Sequence, residues 1–127
     1  MSKAVLDASV ILAVLGQERG TEVVLRLLGD TAVSTVNLAE VLGKLMSRGV
    51  PERDAWEGAS SLATEVVDFD REQARLVGAL APETKALGLS LCDRACLALG
   101  ILLKLPVYTT EQAWKNLKVG VRVHVIR

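Results

Sequence analysis

The sequence predicts an α/β protein of three α/β/α layers, with a mostly parallel central sheet of four to five strands between two layers of helices. Short apolar runs typical of buried strands alternate with longer segments of helical periodicity. The segments between successive strands are long enough for the crossover connections that parallel strands require. No repeat, low-complexity tract or linker interrupts the 127 residues, so we expect a single domain over residues 1–127.

The first strand and the first helix are predicted from one stretch, Lys3-Ala-Val-Leu-Asp7-Ala-Ser-Val-Ile-Leu-Ala13. An apolar run ends in an acid, and from Val10 the apolar pattern is helical rather than alternating. This is typical of a buried strand that delivers a carboxylate at its end and turns at once into a helix. A carboxylate is costly to place in an apolar setting unless something compensates its charge, so Asp7 needs partners.

The remaining elements continue the alternation, and glycine and proline mark their ends. Gly29 ends the second helix, Pro51 opens the fourth, and Gly88 stops a helix that is interrupted near Pro82. The predicted helices cover about residues 9–16, 21–28, 37–48, 51–63, 70–88, 90–104 and 111–117, and the further strands cover 31–36, 65–69, 106–109 and 121–126.

Composition excludes some classes of protein. The 15 basic and 15 acidic residues balance, which neither favours nor excludes nucleic acid, and only 3% of the residues are aromatic, so base-stacking platforms are not available. No apolar run is long enough to span a bilayer, and Asp7 interrupts what would otherwise resemble a secretion signal. We therefore expect a cytoplasmic protein with no membrane segment.

The two cysteines, Cys92 and Cys96, lie four residues apart on a predicted helix. Their Cβ atoms would be roughly 5–6 Å apart, which is too far for a normal disulfide. The one histidine, His124, is distant in sequence, so a zinc site is poorly supported. We expect both cysteines to be small buried side chains in a reducing compartment.

Four acids lie at strand ends or helix starts in apolar surroundings, and functional sites of open α/β sheets form outside the carboxyl ends of the strands. These acids are Asp7, Glu40, Asp93 and Glu111. If several of them converge, their mutual repulsion requires a cation, and ligation by oxygen alone suits Mg²⁺ or Mn²⁺.

Each acid also has a purely structural explanation. Asp7 could cap the first helix. Glu40 follows Asn37 by three residues and Asp93 follows Ser90 by three, and both pairs resemble capping boxes. Helix starts are where acids are commonly found, so the structural explanation remains open for each acid taken alone.

Polar and basic residues near these acids are further candidates. Glu111 could lie in the first turn of a helix capped by Thr109 or Thr110. Side chains that could orient the carboxylates by hydrogen bonds, or equally cap helices, are Ser9, Asn37, Thr109 and Thr110. Side chains that could hold RNA phosphates, or be ordinary solvated charges, are Lys44, Arg48 and Arg94.

The four acidic segments, in this order and at these spacings, resemble the motifs of PIN domains, in particular the VapC-type toxins of toxin–antitoxin pairs. The resemblance covers essentially the whole chain. It is most specific around Asp7 and in Leu89-Ser-Leu-Cys-Asp-Arg-Ala-Cys-Leu-Ala-Leu99, followed by Leu105-Pro-Val-Tyr-Thr-Thr110. Cys92 stands where the family often has Gly or Ala, and Glu111 stands where Asp is commoner.

The resemblance implies a PIN-like fold and a metal-dependent endoribonuclease that uses Mg²⁺ or Mn²⁺. Asp7 and Asp93 would be the principal metal ligands, and Glu40 a third acid that binds metal directly or through water. Glu111 would be an outer ligand or a water-positioning group. The same resemblance implies that a VapB-type antitoxin lies across the acidic site, and that the toxin forms a homodimer and, with the antitoxin, a heterotetramer or larger assembly.

Two other functions remain as alternatives. A haloacid-dehalogenase-type phosphatase also begins with an Asp after its first strand, but that chemistry needs a second Asp two residues later, and this position is Ser9. A catalytically weak PIN-like module that only binds a protein partner is the other alternative, and the substitution at Glu111 is the one point in its favour.

Overall fold

The computed structural model describes all residues of the chain, Met1–Arg127. The strands are β1 Ala4–Leu6, β2 Thr31–Ser34, β3 Glu65–Val67, β4 Val107–Thr109 and β5 Val123–Val125. The α-helices are α1 Ala8–Leu15, α2 Glu22–Leu25, α3 Thr35–Ser47, α4 Glu52–Ser61, α5 Arg71–Ala79, α6 Ala81–Thr84 and α7 Leu91–Leu103.

The five strands form one sheet in the order β3-β2-β1-β4-β5, and every neighbouring pair is parallel. The strand β1 is therefore central, with β2 and β4 on its two sides. The predicted three-layer α/β/α fold with a mostly parallel sheet of four to five strands is confirmed. Since parallel strands end at a common edge, the residues that follow β1, β2 and β4 meet there.

Helices cover both faces of the sheet. Successive residues of a strand point to opposite faces, so Val5 and Leu6 of the fully buried β1 belong to two different apolar clusters. The Val5 cluster includes Ala95–Leu99 of α7, and the Leu6 cluster includes most of the buried residues of α1. Burial of β1 on both faces explains why it reads as a continuous apolar run.

The start of α3 differs from the prediction. The Thr31–Val36 segment was expected to be a strand throughout, but β2 ends at Ser34 and α3 begins at Thr35. Ser34 is the N-cap, and its hydroxyl accepts a hydrogen bond from the backbone N–H of Val36 at 3.2 Å. The β-branched residues Thr35 and Val36 favour a strand by propensity, but this cap outweighs their preference.

Three further elements are shorter than expected. The predicted 21–28 helix is only α2, followed by a 3₁₀ turn at Leu28–Asp30. The predicted 111–117 helix is a 3₁₀ turn at Gln112–Trp114, and the last strand is limited to β5. The interruption near Pro82 and the stop at Gly88 are confirmed, because α5 gives way to α6, and Gly88 ends the following turn with φ at 65°.

The helix α7 approaches β4 very closely at Gly100. A Cβ at this position would lie 2.5 Å from the Cγ2 atom of Val107 and 3.0 Å from that of Val121, so only glycine fits without displacement. This contact sets α7 against the sheet and thereby fixes the position of its first turn, which carries Asp93. None of the helices is both long enough and apolar enough to cross a membrane.

Candidate active site

Asp7 lies at the carboxyl end of β1, where its backbone N–H donates to the carbonyl of Tyr108 at 3.0 Å. It is the N-cap residue of α1, but its side chain accepts no backbone hydrogen bond there. Instead, its Oδ2 atom accepts bonds from Ser9 Oγ at 2.7 Å and from Thr109 Oγ1 at 2.9 Å. The explanation of Asp7 as a side-chain helix cap is therefore wrong.

Two hydroxyl groups connect the β1–α1 junction to the end of β4. Ser9 Oγ accepts a hydrogen bond from the backbone N–H of Thr110 at 3.1 Å, and Thr109 Oγ1 accepts one from the backbone N–H of Glu111 at 3.1 Å. Each hydroxyl is thus oriented by a backbone donor while it donates to Asp7. Thr110 takes part through its backbone, because its side chain makes no such bond.

Asp7 is 3% exposed, and this burial raises the pKa of its carboxyl group to about 6. The hydrogen bonds from Ser9 and Thr109 lower the pKa in part, while the negative charges of Asp93 and Glu40 raise it further. No cationic side chain forms an ion pair with Asp7. Asp7 is therefore a fixed, buried carboxyl group whose negative charge the protein alone does not balance.

Asp93 lies in the first turn of α7 and does form the capping box expected for that segment. Its backbone N–H donates to Ser90 Oγ at 3.1 Å, and its Oδ2 atom accepts from the backbone N–H of Ser90 at 2.8 Å. Its Oδ1 atom makes no hydrogen bond. The capping role is thus correct for Asp93, and it leaves one carboxylate oxygen available.

Glu40 is not part of a capping box, because α3 begins before Asn37 and is capped by Ser34. Glu40 lies in the second turn, a quarter exposed, with its Oε2 atom 3.9 Å from Lys44 Nζ. Asn37 is fully buried, and its Nδ2 atom donates to the carbonyl of Cys92 at 2.9 Å, so it ties α3 to α7 beside Asp93. The Asn37 Oδ1 atom is buried without a partner.

Glu111 stands apart from the other three acids. It is exposed, it precedes the 3₁₀ turn Gln112–Trp114, and its side chain makes no capping bond. Asp93 and Glu40 affect the pKa of Asp7, whereas Glu111 does not contribute. The structure thus brings three of the four predicted acids into electrostatic contact and leaves the fourth at the rim.

The two cysteines are free, as expected, and the charges of Asp7, Asp93 and Glu40 act on both thiols. Burial, then the negative charges of the acids, raises the pKa of the half-buried Cys92 thiol and of the fully buried Cys96 thiol. Sequence reasoning did not place Cys92 in the site. Its position directly before Asp93, on the same first turn of α7, was the signal that could have done so.

The three predicted phosphate-binding cations have different surroundings. Lys44 lies beside Glu40, Arg48 is the exposed C-cap residue of α3, and Arg94 donates from Nη1 to the carbonyl of Val77 at 2.8 Å. Arg94 is therefore partly engaged in holding α7 against α5.

The acidic residues suit a hard divalent cation in chemistry, although no three of them are gathered closely enough to hold one ion together. Both hydrogen bonds to the Asp7 carboxylate end on Oδ2, so its Oδ1 atom has no protein donor. The Oδ1 atom of Asp93 likewise accepts no hydrogen bond from the protein. Mg²⁺ and Mn²⁺ prefer carboxylate oxygens as ligands, and these two oxygen atoms accept no hydrogen bond from the protein.

The fold and the site together define a class of α/β/α proteins with a parallel sheet and an acidic site at the carboxyl ends of its strands. The family model of the PIN domain matches residues 4–119, so the chain belongs to the PIN domain family. This match confirms the resemblance to PIN domains that the sequence motifs indicated. The sequence has no significant match among curated proteins.

Solved structures share the fold over nearly the whole chain. DNA-bound VapBC from Salmonella typhimurium superposes with a TM-score of 0.76 at 21% identity, covering 98% of each chain. A toxin–antitoxin complex from Klebsiella pneumoniae gives 0.72 at 20% identity, covering 94% of this chain and 95% of the other. VapBC-5 from Mycobacterium tuberculosis gives 0.69 at 22% identity, covering 100% and 99%.

Proposed function

We propose that this chain is the VapC-type toxin of a toxin–antitoxin pair and an endoribonuclease that hydrolyses RNA phosphodiesters with Mg²⁺ or Mn²⁺. The observation that carries the proposal is the Asp7 carboxyl group, which is buried at the carboxyl end of the central strand, held by two hydroxyls and balanced by no cation. Membership of the PIN domain family supports it, because PIN domains are generally nucleases.

Asp7 and Asp93 would bind the divalent cation directly and Glu40 through water, because no three acids are close enough to bind one ion together. When bound, such an ion lowers the pKa of a water molecule and offsets the charge that builds on the attacked phosphate. Asp7 and Asp93 each offer an Oδ1 atom that is free of protein donors, and Glu40 offers a carboxylate one helical turn from Lys44. Glu111, at the rim, could act only as an outer group.

Ser9 and Thr109 position the Asp7 carboxylate. Because both donate to Oδ2, they fix the plane of the carboxyl group and keep Oδ1 directed away from the donors. Lys44, Arg48 and Arg94 supply positive charge on the two helices that carry Glu40 and Asp93. We assign them to RNA phosphates, whose contacts position a strand without reading its sequence.

The structural neighbours include VapBC proteins and a toxin–antitoxin complex, which supports a VapB-type antitoxin as partner. Exposed apolar side chains supply a surface for such binding, among them Val23, Leu25 and Trp56, which are 45%, 51% and 47% exposed. We propose a toxin homodimer that joins the antitoxin in a heterotetramer or larger assembly. Mixing the protein with the product of the neighbouring small gene should shift its elution on sizing chromatography, and an unchanged position counts against this part.

A catalytically weak PIN-like module that binds a protein partner is the second candidate. Its support is that no three acids are clustered and that Glu111 lies apart from the others. The haloacid-dehalogenase-type phosphatase is not retained. The chain belongs to the PIN domain family, and the position that would need the second Asp holds Ser9, whose hydroxyl donates to Asp7.

The test is incubation of the purified protein with structured RNA in Mg²⁺ or Mn²⁺, beside Asp7→Asn and Glu111→Gln. We expect cleavage by the wild type, loss of cleavage in EDTA and in Asp7→Asn, and substantial activity in Glu111→Gln because its carboxylate is peripheral. If no RNA pool is cleaved and expression does not inhibit growth, the binding module is the better account.

A further inference from the structure

A cleft of about 530 Å³ borders the helix start that carries Asp93. It lies between the segment around α6 and the first turns of α7. Its lining residues are Ala81, Pro82, Lys85, Gly88, Leu89 and Arg94. Leu89 and Arg94 directly precede and follow the Ser90–Asp93 capping box, so the cleft adjoins the acidic edge of the sheet.

The charged residues of the cleft lining are both cationic. Neither Lys85 nor Arg94 takes part in an ion pair. Arg94 donates one hydrogen bond to the carbonyl of Val77, which lies in the last turn of α5, where carbonyls lack helical partners and a cation is favourable. This bond fixes the arginine and leaves the other donors of its guanidinium fork available.

The other lining residues are Gly88 and the three apolar residues Ala81, Pro82 and Leu89. Two more apolar side chains next to the lining in sequence are exposed, Leu87 at 42% and Leu91 at 54%. A nucleotide presents this same pair of surfaces, an anionic phosphate beside the apolar faces of base and ribose. Two uncompensated cations next to an apolar wall therefore favour a segment of a nucleic acid strand over a purely apolar ligand.

We propose that this cleft is a binding subsite for single-stranded RNA, in which Lys85 and Arg94 hold a phosphate of the strand beside the acidic edge. The proposal rests on the proposed function for its choice of RNA. It adds Lys85, which the sequence did not single out, and gives Arg94 a defined location. Lys85 and Arg94 lie on other elements than Lys44 and Arg48, so the cleft would add a phosphate contact to those assigned above.

The experiment measures binding of a fluorescently labelled single-stranded RNA of mixed sequence by anisotropy, in the Asp7→Asn background so that the probe is not cut. Lys85→Gln is the test variant, because the Lys85 side chain makes no hydrogen bond or ion pair that the fold needs. Lys104→Gln is the matched control, because Lys104 is exposed and unpaired at the opposite end of α7.

Lys85→Gln is expected to weaken RNA binding about five-fold at about 0.1 M salt. It should also reduce the steepness of log K against log salt by about 0.7, where K is the binding constant, because one phosphate contact to a single strand is lost. Lys104→Gln is expected to leave both quantities unchanged. Equal effects of the two variants, or no effect of Lys85→Gln, would overturn the subsite. Binding of polyglutamate that depends on Lys85 while RNA binding does not would assign the cleft to an acidic peptide and overturn the RNA assignment.

Cleavage by the otherwise wild-type protein separates this proposal from the proposed function. If RNA is cleaved but its binding does not depend on Lys85, only the subsite is wrong. If no RNA is cleaved but binding depends on Lys85, the subsite stands and the nuclease function fails. If RNA is neither bound nor cleaved, both are wrong.

Discussion

Replacing Asp7 with Asn should stabilise the metal-free protein at neutral and alkaline pH even though it removes a residue of the proposed active site. The substitution keeps the shape of the side chain, and the amide oxygen of Asn can accept the hydrogen bonds that Ser9 and Thr109 now donate to Oδ2. The amide nitrogen takes the place of Oδ1, which has no protein donor. What the variant removes is a buried negative charge.

The magnitude follows from the pKa of Asp7, which burial raises to about 6 in the folded protein. An aspartate in the unfolded chain has a pKa of about 4, so between these values the folded state binds more protons than the unfolded state. The free energy of unfolding of the wild type therefore falls as the pH rises through this window. Two pKa units correspond to about 3 kcal/mol when the window is crossed completely.

The assay is urea denaturation of wild type and Asp7→Asn in EDTA, at several pH values from about 4 to about 8. The difference in unfolding free energy, variant minus wild type, should rise by about 2–3 kcal/mol across this range. Glu111→Gln is the control, because its exposed carboxylate does not contribute to the pKa of Asp7. A difference for Asp7→Asn that does not depend on pH would refute the claim that Asp7 is an uncompensated buried charge.

Three further predictions concern packing, capping and thiol reactivity. Gly100→Ala should lower the free energy of unfolding by about 1–3 kcal/mol, because the new Cβ would overlap a buried valine. The control Gly43→Ala should be neutral or stabilising, because its Cβ would have nothing within 4 Å. Equal effects of the two variants in a denaturation series would contradict this packing. Ser34→Ala should cost about 1 kcal/mol through loss of the α3 cap, and an unchanged unfolding midpoint would argue against that cap. In a thiol titration, Cys96 should react only after the protein unfolds, and Cys92 of the native protein should react more slowly than a free thiol, because burial raises both pKa values. Rapid reaction of both thiols in the native protein would contradict their burial.

The order and type of the main elements could be predicted because the two faces of the sheet are covered. Strands buried on both faces read as continuous apolar runs, and the helices between them keep a helical pattern. The sequence also predicted that Asp7 needs partners, because the charge of an acid between apolar residues must be compensated. Ser9 and Thr109 were named as possible partners, but the sequence could not decide between this role and helix capping.

Local caps and turns, and one contact between distant parts of the chain, account for what sequence reasoning missed. The start of α3 depends on one cap at Ser34, which outweighs the β-propensity of the next two residues. Asn37 was expected near a carboxylate or in a capping box, but it binds the backbone of Cys92 across 55 residues of sequence. The segment after Glu111 forms a 3₁₀ turn rather than the predicted helix, and the acid is exposed.

The most direct test of the central claim is a calorimetric titration of the metal-free protein with Mn²⁺. If Asp7 and Asp93 bind the ion directly and Glu40 binds it through water, then Asp7→Asn and Asp93→Asn should abolish saturable binding. Glu111→Gln should retain binding within about the ten-fold loss typical of an outer group. Retention of wild-type Mn²⁺ affinity by Asp7→Asn would contradict the assignment of the acidic edge as a metal site, and with it the proposed hydrolysis of RNA.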